Sequence, residues 1–157
     1  GHLGLWEPTS RTAIVIDAVM RRGLLDMEGT VIHPPPYFDV DAYLGSARAL
    51  QALQPARLLT AHYDVMEGEQ VTRFLSDTVA FVEDAARLTR RELDAAGAIT
   101  LAELVARVDP ELGPFTSMAN ELGGTLRAHA RTLVRDGHAR EDPSGLRWYS
   151  VNDEGGT

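Results

Sequence analysis

The segment "RLLTAHYDVMEGEQ", residues 57–70, contains the clearest indication of the fold. Its apolar start is typical of a short buried strand, and the pattern that follows its glycine is typical of a helix. Between the two stand three polar or ionisable side chains, His62, Tyr63 and Asp64. Open α/β sheets place their ligand sites at strand ends of this kind. The stretch therefore predicts a functional site at the edge of a sheet.

An earlier segment of the chain has the same form. The apolar run "AIVI", residues 13–16, leads directly into Asp17 and predicts another buried strand. Both strand ends are expected at the same edge of the sheet. We therefore expect Asp17 and His62 to lie within the reach of one ligand cluster.

The composition is that of an ordinary globular protein. The chain has 157 residues, of which 44% are apolar and 24% charged, enough for one domain or two small ones with a buried core. Its net charge of −8 disfavours nonspecific binding to nucleic acid or to an anionic membrane. The absence of cysteine excludes disulfides, thiolate zinc sites and cysteine nucleophiles. There is neither a signal-peptide pattern nor an apolar run of the ~18–20 residues that cross a bilayer, and we expect a cytoplasmic protein without a membrane partner.

Residues 1–96 predict one α/β domain. "GHLGLWEP" and "AIVIDAVM" are expected to form a hairpin, and residues 21–38 a loop in which three consecutive prolines exclude a helix. The elements expected after this loop are a helix at 40–53, a strand at 56–61 and a long amphipathic helix at 68–96. The first strand has no lead-in, which fits either a chain cut inside a domain or a native edge strand.

Residues 97–151 differ in character and predict a second, helical domain. A capping box, "TLAE" at 100–103, opens a short helix that Pro110 is expected to stop. The helices expected after it are at 115–122 and 125–135, separated by Gly123 and Gly124. A strand, a turn and a strand at 138–151 complete a winged-helix pattern. The tail, residues 152–157, is expected to be disordered.

Three segments in this order, "AIVIDAVM", "HPPPYFDVDAYLGSARALQAL" and "ARLLTAHYDVMEG", resemble the second half of a metallo-β-lactamase-fold hydrolase. The family has a glycine before each of two site residues, whereas here Ile16 precedes Asp17 and Ala61 precedes His62. The opening "GHLGLW" is similar to the end of the family's "PGHTPGH" turn. The resemblance covers about residues 1–91. It implies an α/β fold: the C-terminal half of an αββα metallo-β-lactamase sandwich, followed by a small helical winged-helix-like domain.

The resemblance also implies a metal site and a reaction. Asp17 would be the carboxylate that bridges two metal ions and His62 a ligand of one of them, and both would be catalytic. In the complete protein the metals would be two zinc ions, whose hydroxide would attack a small-molecule ester, thioester, lactone or phosphodiester. Tyr63 or Asp64 would support a ligand or contact a substrate oxygen.

The "HxHxDH" cluster of the family has no counterpart in this chain. With Asp17 and His62 alone, a four-coordinate zinc keeps half of its positions open, so we expect weak or absent metal binding and no activity from this chain by itself. Among the other histidines, His2 aligns best with the histidine of the turn that does not bind metal. His33 is expected in a loop and His129 on a helix, as a packing or surface residue.

An apolar face of the sheet predicts a partner. In the parent fold two sheets pack face to face, so without one half the side chains of Leu3, Leu5, Ile14 and Ile16 would be bare. Large exposed apolar patches normally bind a partner. We expect this face either to bind the missing N-terminal half or to mediate self-association.

A basic stripe on the last helix leaves two interpretations open. Arg127, Arg131 and Arg135 recur every four residues, as on a DNA-binding face. Acidic residues nearby favour a solvated or packing face instead. The function that the sequence favours is part of a metal-dependent hydrolase. The alternative is a small acidic binding or interaction module without enzymatic activity, in which the α/β half supports the winged-helix-like portion.

Overall fold

The computed structural model describes residues 2–115 and 119–151. The strands and helices, in chain order, are β1 (Leu5–Glu7), β2 (Thr12–Ile16), β3 (Leu24–Leu25), β4 (Val31–His33), α1 (Val40–Leu53), β5 (Arg57–Thr60), β6 (Met66–Glu67), α2 (Glu69–Ala96), β7 (Ala98–Thr100), α3 (Leu101–Leu112), α4 (Ala119–Arg135), β8 (Ala139–Glu141) and β9 (Arg147–Ser150). None of the helices in these ranges combines the length and the apolar character that crossing a membrane requires.

The first sheet has the strand order β1-β2-β5-β6. β1 and β2 form the predicted antiparallel hairpin, and β2 runs parallel to β5. Ala13 and Val15 of β2 are buried, while Ile14 and Ile16 alternate to the opposite face, as the two-residue period of a strand requires. Because β2 and β5 are parallel, their carboxyl ends lie at the same edge of the sheet.

Helices α1 and α2 cover one face of this sheet. The core between them and the strands contains Ala13, Val15, Val19, Ala47, Leu58, Val71, Phe74 and Leu75. The predicted helix at 40–53 is confirmed, and its start is fixed by Asp39, whose side chain accepts a hydrogen bond of 2.9 Å from the N–H of Ala42.

The long helix α2 is shared between two cores. Its first half packs on the sheet, while Phe81, Leu88 and Leu93 of its second half belong to a larger core with α3, α4 and the fully buried Trp148 of β9. The strands beside this core form an antiparallel sheet of order β7-β9-β8. The division of the chain at residue 97 and the winged-helix assignment stay predictions.

The predicted end of α3 at Pro110 is wrong. The capping box is confirmed, because Thr100 and Glu103 satisfy each other's backbone N–H groups, but the helix runs on to Leu112. Burial of Leu112 and a hydrogen bond of 2.9 Å from Gly113 N–H to the Asp109 carbonyl hold the turn that contains the proline. Tertiary packing here overrides a local helix breaker.

The predicted break at Gly123 and Gly124 is also wrong, because both glycines lie inside α4. A Cβ on Gly123 would meet Leu101 and Val105 of α3 at ordinary contact distances, and one on Gly124 would lie 2.8 Å from the ring of Phe38. The glycines thus allow neighbouring elements to approach the helix instead of ending it. The start of the helix expected at 115–122 lies partly outside the described residues.

Four strands of two or three residues, β3, β4, β6 and β7, have no counterpart among the predicted elements. β3 and β4 pair within the expected loop at 21–38. The hairpin of β8 and β9 is confirmed. The predicted tail at 152–157 lies outside the described residues.

Candidate metal centre

The two parallel strands end side by side and bring the predicted site residues together. The N–H of Ala61 donates to the carbonyl of Ile16 at 3.2 Å, which joins the ends of β2 and β5. Asp17 and His62 follow directly, and Nε2 of His62 lies 3.2 Å from Oδ1 of Asp17. Their side chains are 34% and 48% exposed, respectively, so both residues are partly accessible to solvent.

The backbone at Ile16 is unusual. The pairing of β2 with β5 is irregular between Ile14 and Ile16, and Ile16 has a φ of 51°. This left-handed conformation is strongly disfavoured for a β-branched residue and is easy for glycine. The resembling family has glycine at this position. The structure therefore keeps the bend that leads into Asp17 although the residue that favours it is absent.

One carboxylate oxygen of Asp17 is shielded from solvent and has no hydrogen bond to any described group. This oxygen, Oδ1, is the atom within ion-pair distance of His62 Nε2, but the two groups are not oriented as a hydrogen bond. Two ligands bound to one tetrahedral zinc at about 2.0–2.1 Å each lie about 3.3 Å apart. The oxygen and the imidazole nitrogen are therefore spaced as two ligands of one metal ion, and a cation there would satisfy the shielded oxygen.

The two residues do not form a complete metal site. Within residues 2–115 and 119–151 there is no group of three or more histidine, cysteine, aspartate or glutamate side chains arranged to hold a metal ion. A metal bound to Asp17 and His62 would need further donors. The residues present fit two positions of a coordination sphere and leave the others open.

Tyr63, which follows His62, stabilises the backbone next to the site through its hydroxyl. Its hydroxyl lies 2.6 Å from the carbonyl of Gly23 and 3.2 Å from that of Met20, and it donates to these oxygens. Its ring packs edge-on against Phe74 at 5.0 Å between centroids. Burial raises the pKa of this phenol to about 12, so it stays protonated and keeps its donor. Tyr63 thus ties the loop that begins at Asp17 to the site.

A second phenol, for which no sequence pattern indicated a role at the site, holds the same loop. Buried Tyr43 of α1 accepts a hydrogen bond of 3.0 Å from the N–H of Met20. The backbone of Met20 is therefore held at its N–H by Tyr43 and at its carbonyl by Tyr63. Tyr43 was hidden in sequence because a tyrosine on the apolar face of a helix is typical of core packing.

None of the remaining histidines completes a group of three ligands with Asp17 and His62 in the described parts of the chain. His2 and His138 are exposed, and His33 places Nδ1 2.6 Å from the carbonyl of Pro34. His129 is buried in α4, where its Nε2 lies 2.7 Å from the hydroxyl of Tyr37. Burial lowers the pKa of His129 to about 4. Of the two interpretations of His129, the structure supports packing.

Two of the three arginines in the basic stripe on α4 are paired with acids. Arg131 forms an ion pair of 3.3 Å with Glu141, and Arg135 pairs with Asp136 at 2.8 Å and with Asp41. Guanidinium groups neutralised in this way are poorly placed to contact phosphates. The geometry supports the packing and solvated interpretation of the stripe over a DNA-binding one.

Comparison with known proteins identifies the class of fold. No protein-family model matches the sequence, and no curated protein matches it significantly. A metallo-beta-lactamase family protein from Thermus thermophilus matches the structure with a TM-score of 0.68 at 16% sequence identity. A beta-lactamase domain protein from Burkholderia ambifaria matches with a TM-score of 0.60 at 18% identity.

The two matches cover 96% and 95% of this chain but 46% and 43% of the solved chains. The chain thus spans less than half the length of these proteins. Its structure is α/β and is part of a metallo-β-lactamase fold, as the sequence resemblance implied.

Proposed function

We propose that this chain contributes Asp17 and His62 to the metal site of a metal-dependent hydrolase. The observation that carries the proposal is the 3.2 Å separation of His62 Nε2 from an Asp17 oxygen that is shielded and has no hydrogen bond. The likeness to part of the metallo-β-lactamase fold supports it. In this proposal the chain is the C-terminal half of the αββα sandwich with a winged-helix-like domain after residue 97.

Each residue has a defined part in the proposed site. Asp17 offers two carboxylate oxygens, which is what bridging two cations requires, and His62 offers Nε2 as a neutral nitrogen ligand. Tyr63 and Tyr43 hold the loop after Asp17 and so fix the direction of its carboxylate. The chemistry that divalent metals supply when bound is Lewis acidity and a water whose pKa lies near neutrality. The proposed reaction is hydrolysis of a small-molecule ester, thioester, lactone or phosphodiester.

The proposal includes a partner for the open face of the first sheet. Leu3, Leu5 and Ile16 are 79%, 60% and 47% exposed on or beside that face, which is too apolar to be an ordinary solvated surface. The proposed occupant is the other half of the metallo-β-lactamase fold, since the matching solved chains are about twice as long as the aligned part. The same half would carry the missing metal donors.

A second candidate is a non-enzymatic acidic binding or interaction module. The observation that favours it is the absence of a three-ligand group among the described residues. In that case Asp17 and His62 would form an exposed polar pair of small energetic value.

Activity separates the two candidates. Hydrolysis of p-nitrophenyl acetate and bis(p-nitrophenyl) phosphate with Zn²⁺ is measured for residues 1–157 alone and for the chain joined to an N-terminal half of the metallo-β-lactamase fold. We expect turnover only in the joined protein, abolished by Asp17→Ala and retained in Arg131→Ala. Turnover by residues 1–157 alone would contradict the proposal that this chain supplies only two of the metal ligands. Full activity of the Asp17→Ala protein would contradict the assignment of Asp17 to the hydrolase site.

A further inference from the structure

A cavity of about 290 Å³ opens beside the candidate metal centre. One wall begins at Tyr63, whose Cα is about 3.8 Å from that of its neighbour His62. Arg21, from the loop that follows Asp17, and Arg73, from the second turn of α2, line the cavity as well. Its size suits one substituent of a small molecule rather than a large ligand.

The cavity has an aromatic floor. Tyr63 and Phe74 meet edge-to-face there, with centroids 5.0 Å apart, and Val65 and Met66 extend the apolar surface. The Tyr63 ring is immobilised, because its hydroxyl is engaged with backbone carbonyls away from solvent. A rigid apolar floor of this kind binds a flat or aliphatic group without ordering new side chains.

The rim of the cavity carries two guanidinium groups, one of which is paired with an acid. Nε of Arg21 donates to Asp77 at 2.7 Å, which fixes the guanidinium, and its Nη groups have no hydrogen-bond partner among the described residues. Arg73 has no ion pair within the described parts of the chain. The ion pair with Asp77 offsets the charge of Arg21. Arg73 is therefore the unpaired guanidinium group of the lining, and Asp64 is its acidic residue.

A larger cavity of about 960 Å³ has no such relation to the candidate site. It is lined by residues that precede β2 and β5, among them Arg11 and Pro55, and therefore lies at the opposite ends of the parallel strands. The guanidinium of Arg11 is already bonded to the carbonyl of Gln54.

We propose that the smaller cavity binds an apolar substituent that carries an oxyanion, a carboxylate or a phosphate, with Arg73 as its charge partner. Guanidinium groups offer paired donors that match the oxygens of such anions. The identification of this ligand as a substrate of the metal centre rests on the proposed function; the binding itself does not. The proposed hydrolase would then prefer anionic substrates over neutral ones.

The test uses phenyl phosphate, phenol and inorganic phosphate as probes on the metal-free chain in the presence of a chelator, followed by ¹H–¹⁵N NMR. Phenyl phosphate should shift the resonances of Tyr63, Gln70 and Arg73. Removing the charge with Arg73→Gln should weaken its binding about fivefold to tenfold, as expected for one charge-assisted contact at a partly exposed site. Phenol and inorganic phosphate, each lacking one half of the proposed ligand, should bind more weakly than phenyl phosphate.

The matched control is Arg140→Gln, which removes one exposed positive charge from β8 and should leave binding unchanged. Equal affinity in wild type and Arg73→Gln, or shifts confined to other surfaces, would overturn the proposal. Because no metal is present in this experiment, a negative result would not contradict the proposed metal site. Conversely, loss of the metal site in Asp17→Ala should leave phenyl phosphate binding intact.

Discussion

Nε2 of His62 lies 3.2 Å from Oδ1 of Asp17, although the whole of α1 separates the two residues in the chain. The parallel pairing of β2 with β5 produces this approach, because it places both strand ends at one edge of the sheet. The ends carry an acid and an imidazole, which are a ligand pair for a divalent cation.

The bend before Asp17 should make position 16 tolerant of glycine. Ile16→Gly removes a half-exposed apolar side chain but also removes the backbone strain of a β-branched residue in the left-handed conformation. Because the two effects oppose each other, the free energy of unfolding should change by less than about 1 kcal/mol. The control, Ile14→Gly, lies in the same strand without positive φ and should lower it by about 2 kcal/mol. Urea denaturation of both variants measures the difference. Equal losses at the two positions would show that Ile16 is not strained.

The phenols that hold the loop should control its opening. Tyr43→Phe leaves the buried N–H of Met20 without an acceptor, which should cost about 1–3 kcal/mol of stability and speed hydrogen exchange at that amide. Tyr63→Phe, which removes a donor from carbonyl groups instead, should affect the Met20 amide less. Residue-resolved hydrogen exchange measures both. An unchanged exchange rate of the Met20 amide in Tyr43→Phe would contradict the role of Tyr43 in holding the loop.

Much of this site could be predicted from sequence, but only part of its support could. Apolar runs that end in Asp17 and His62 carry a local signal, and so does the amphipathic pattern of α2. The tyrosine contacts on Met20 join three separate segments and leave no local trace. Strands of two or three residues, such as β6, exist only because a neighbouring strand pairs with them. Pro110 and Gly123 carry breaker signals that packing in the second core overrides.

Buried His129 should make the protein less stable in mild acid. Its pKa is about 4 in the folded state and near 6.5 when unfolded, so the unfolded chain binds a proton first as the pH falls. The stabilising contribution is complete above pH ~6.5 and declines toward pH 4, by about 3 kcal/mol in total.

The comparison that isolates this effect is wild type against His129→Gln, which cannot titrate. The variant should be less stable than wild type at pH 7.5, and this gap in the free energy of unfolding should narrow as the pH falls to 5. Denaturant unfolding at each pH measures the gap. A gap that stays constant across this range would show that His129 is not kept neutral by burial.

The continuity of α4 predicts a stabilising substitution. A Cβ at Gly123 meets Leu101 and Val105 at 3.6 Å or more, so Gly123→Ala should fit and gain helix propensity. We expect a rise of about 0.5–1 kcal/mol in the free energy of unfolding. Thermal and urea unfolding check the value. Destabilisation would favour the helix break that the sequence alone suggests.

Asp17 and His62 should bind a divalent metal ion weakly in this chain. Co²⁺ is titrated into residues 1–157 and followed by calorimetry and visible absorption, with His138→Ala as a control that removes an exposed imidazole away from the pair. We predict weak binding that falls at least about tenfold in Asp17→Ala and in His62→Ala and is unchanged in His138→Ala. The same affinity in all four proteins would contradict a metal site at these strand ends, and tight binding that survives a chelator would contradict a site with two protein ligands.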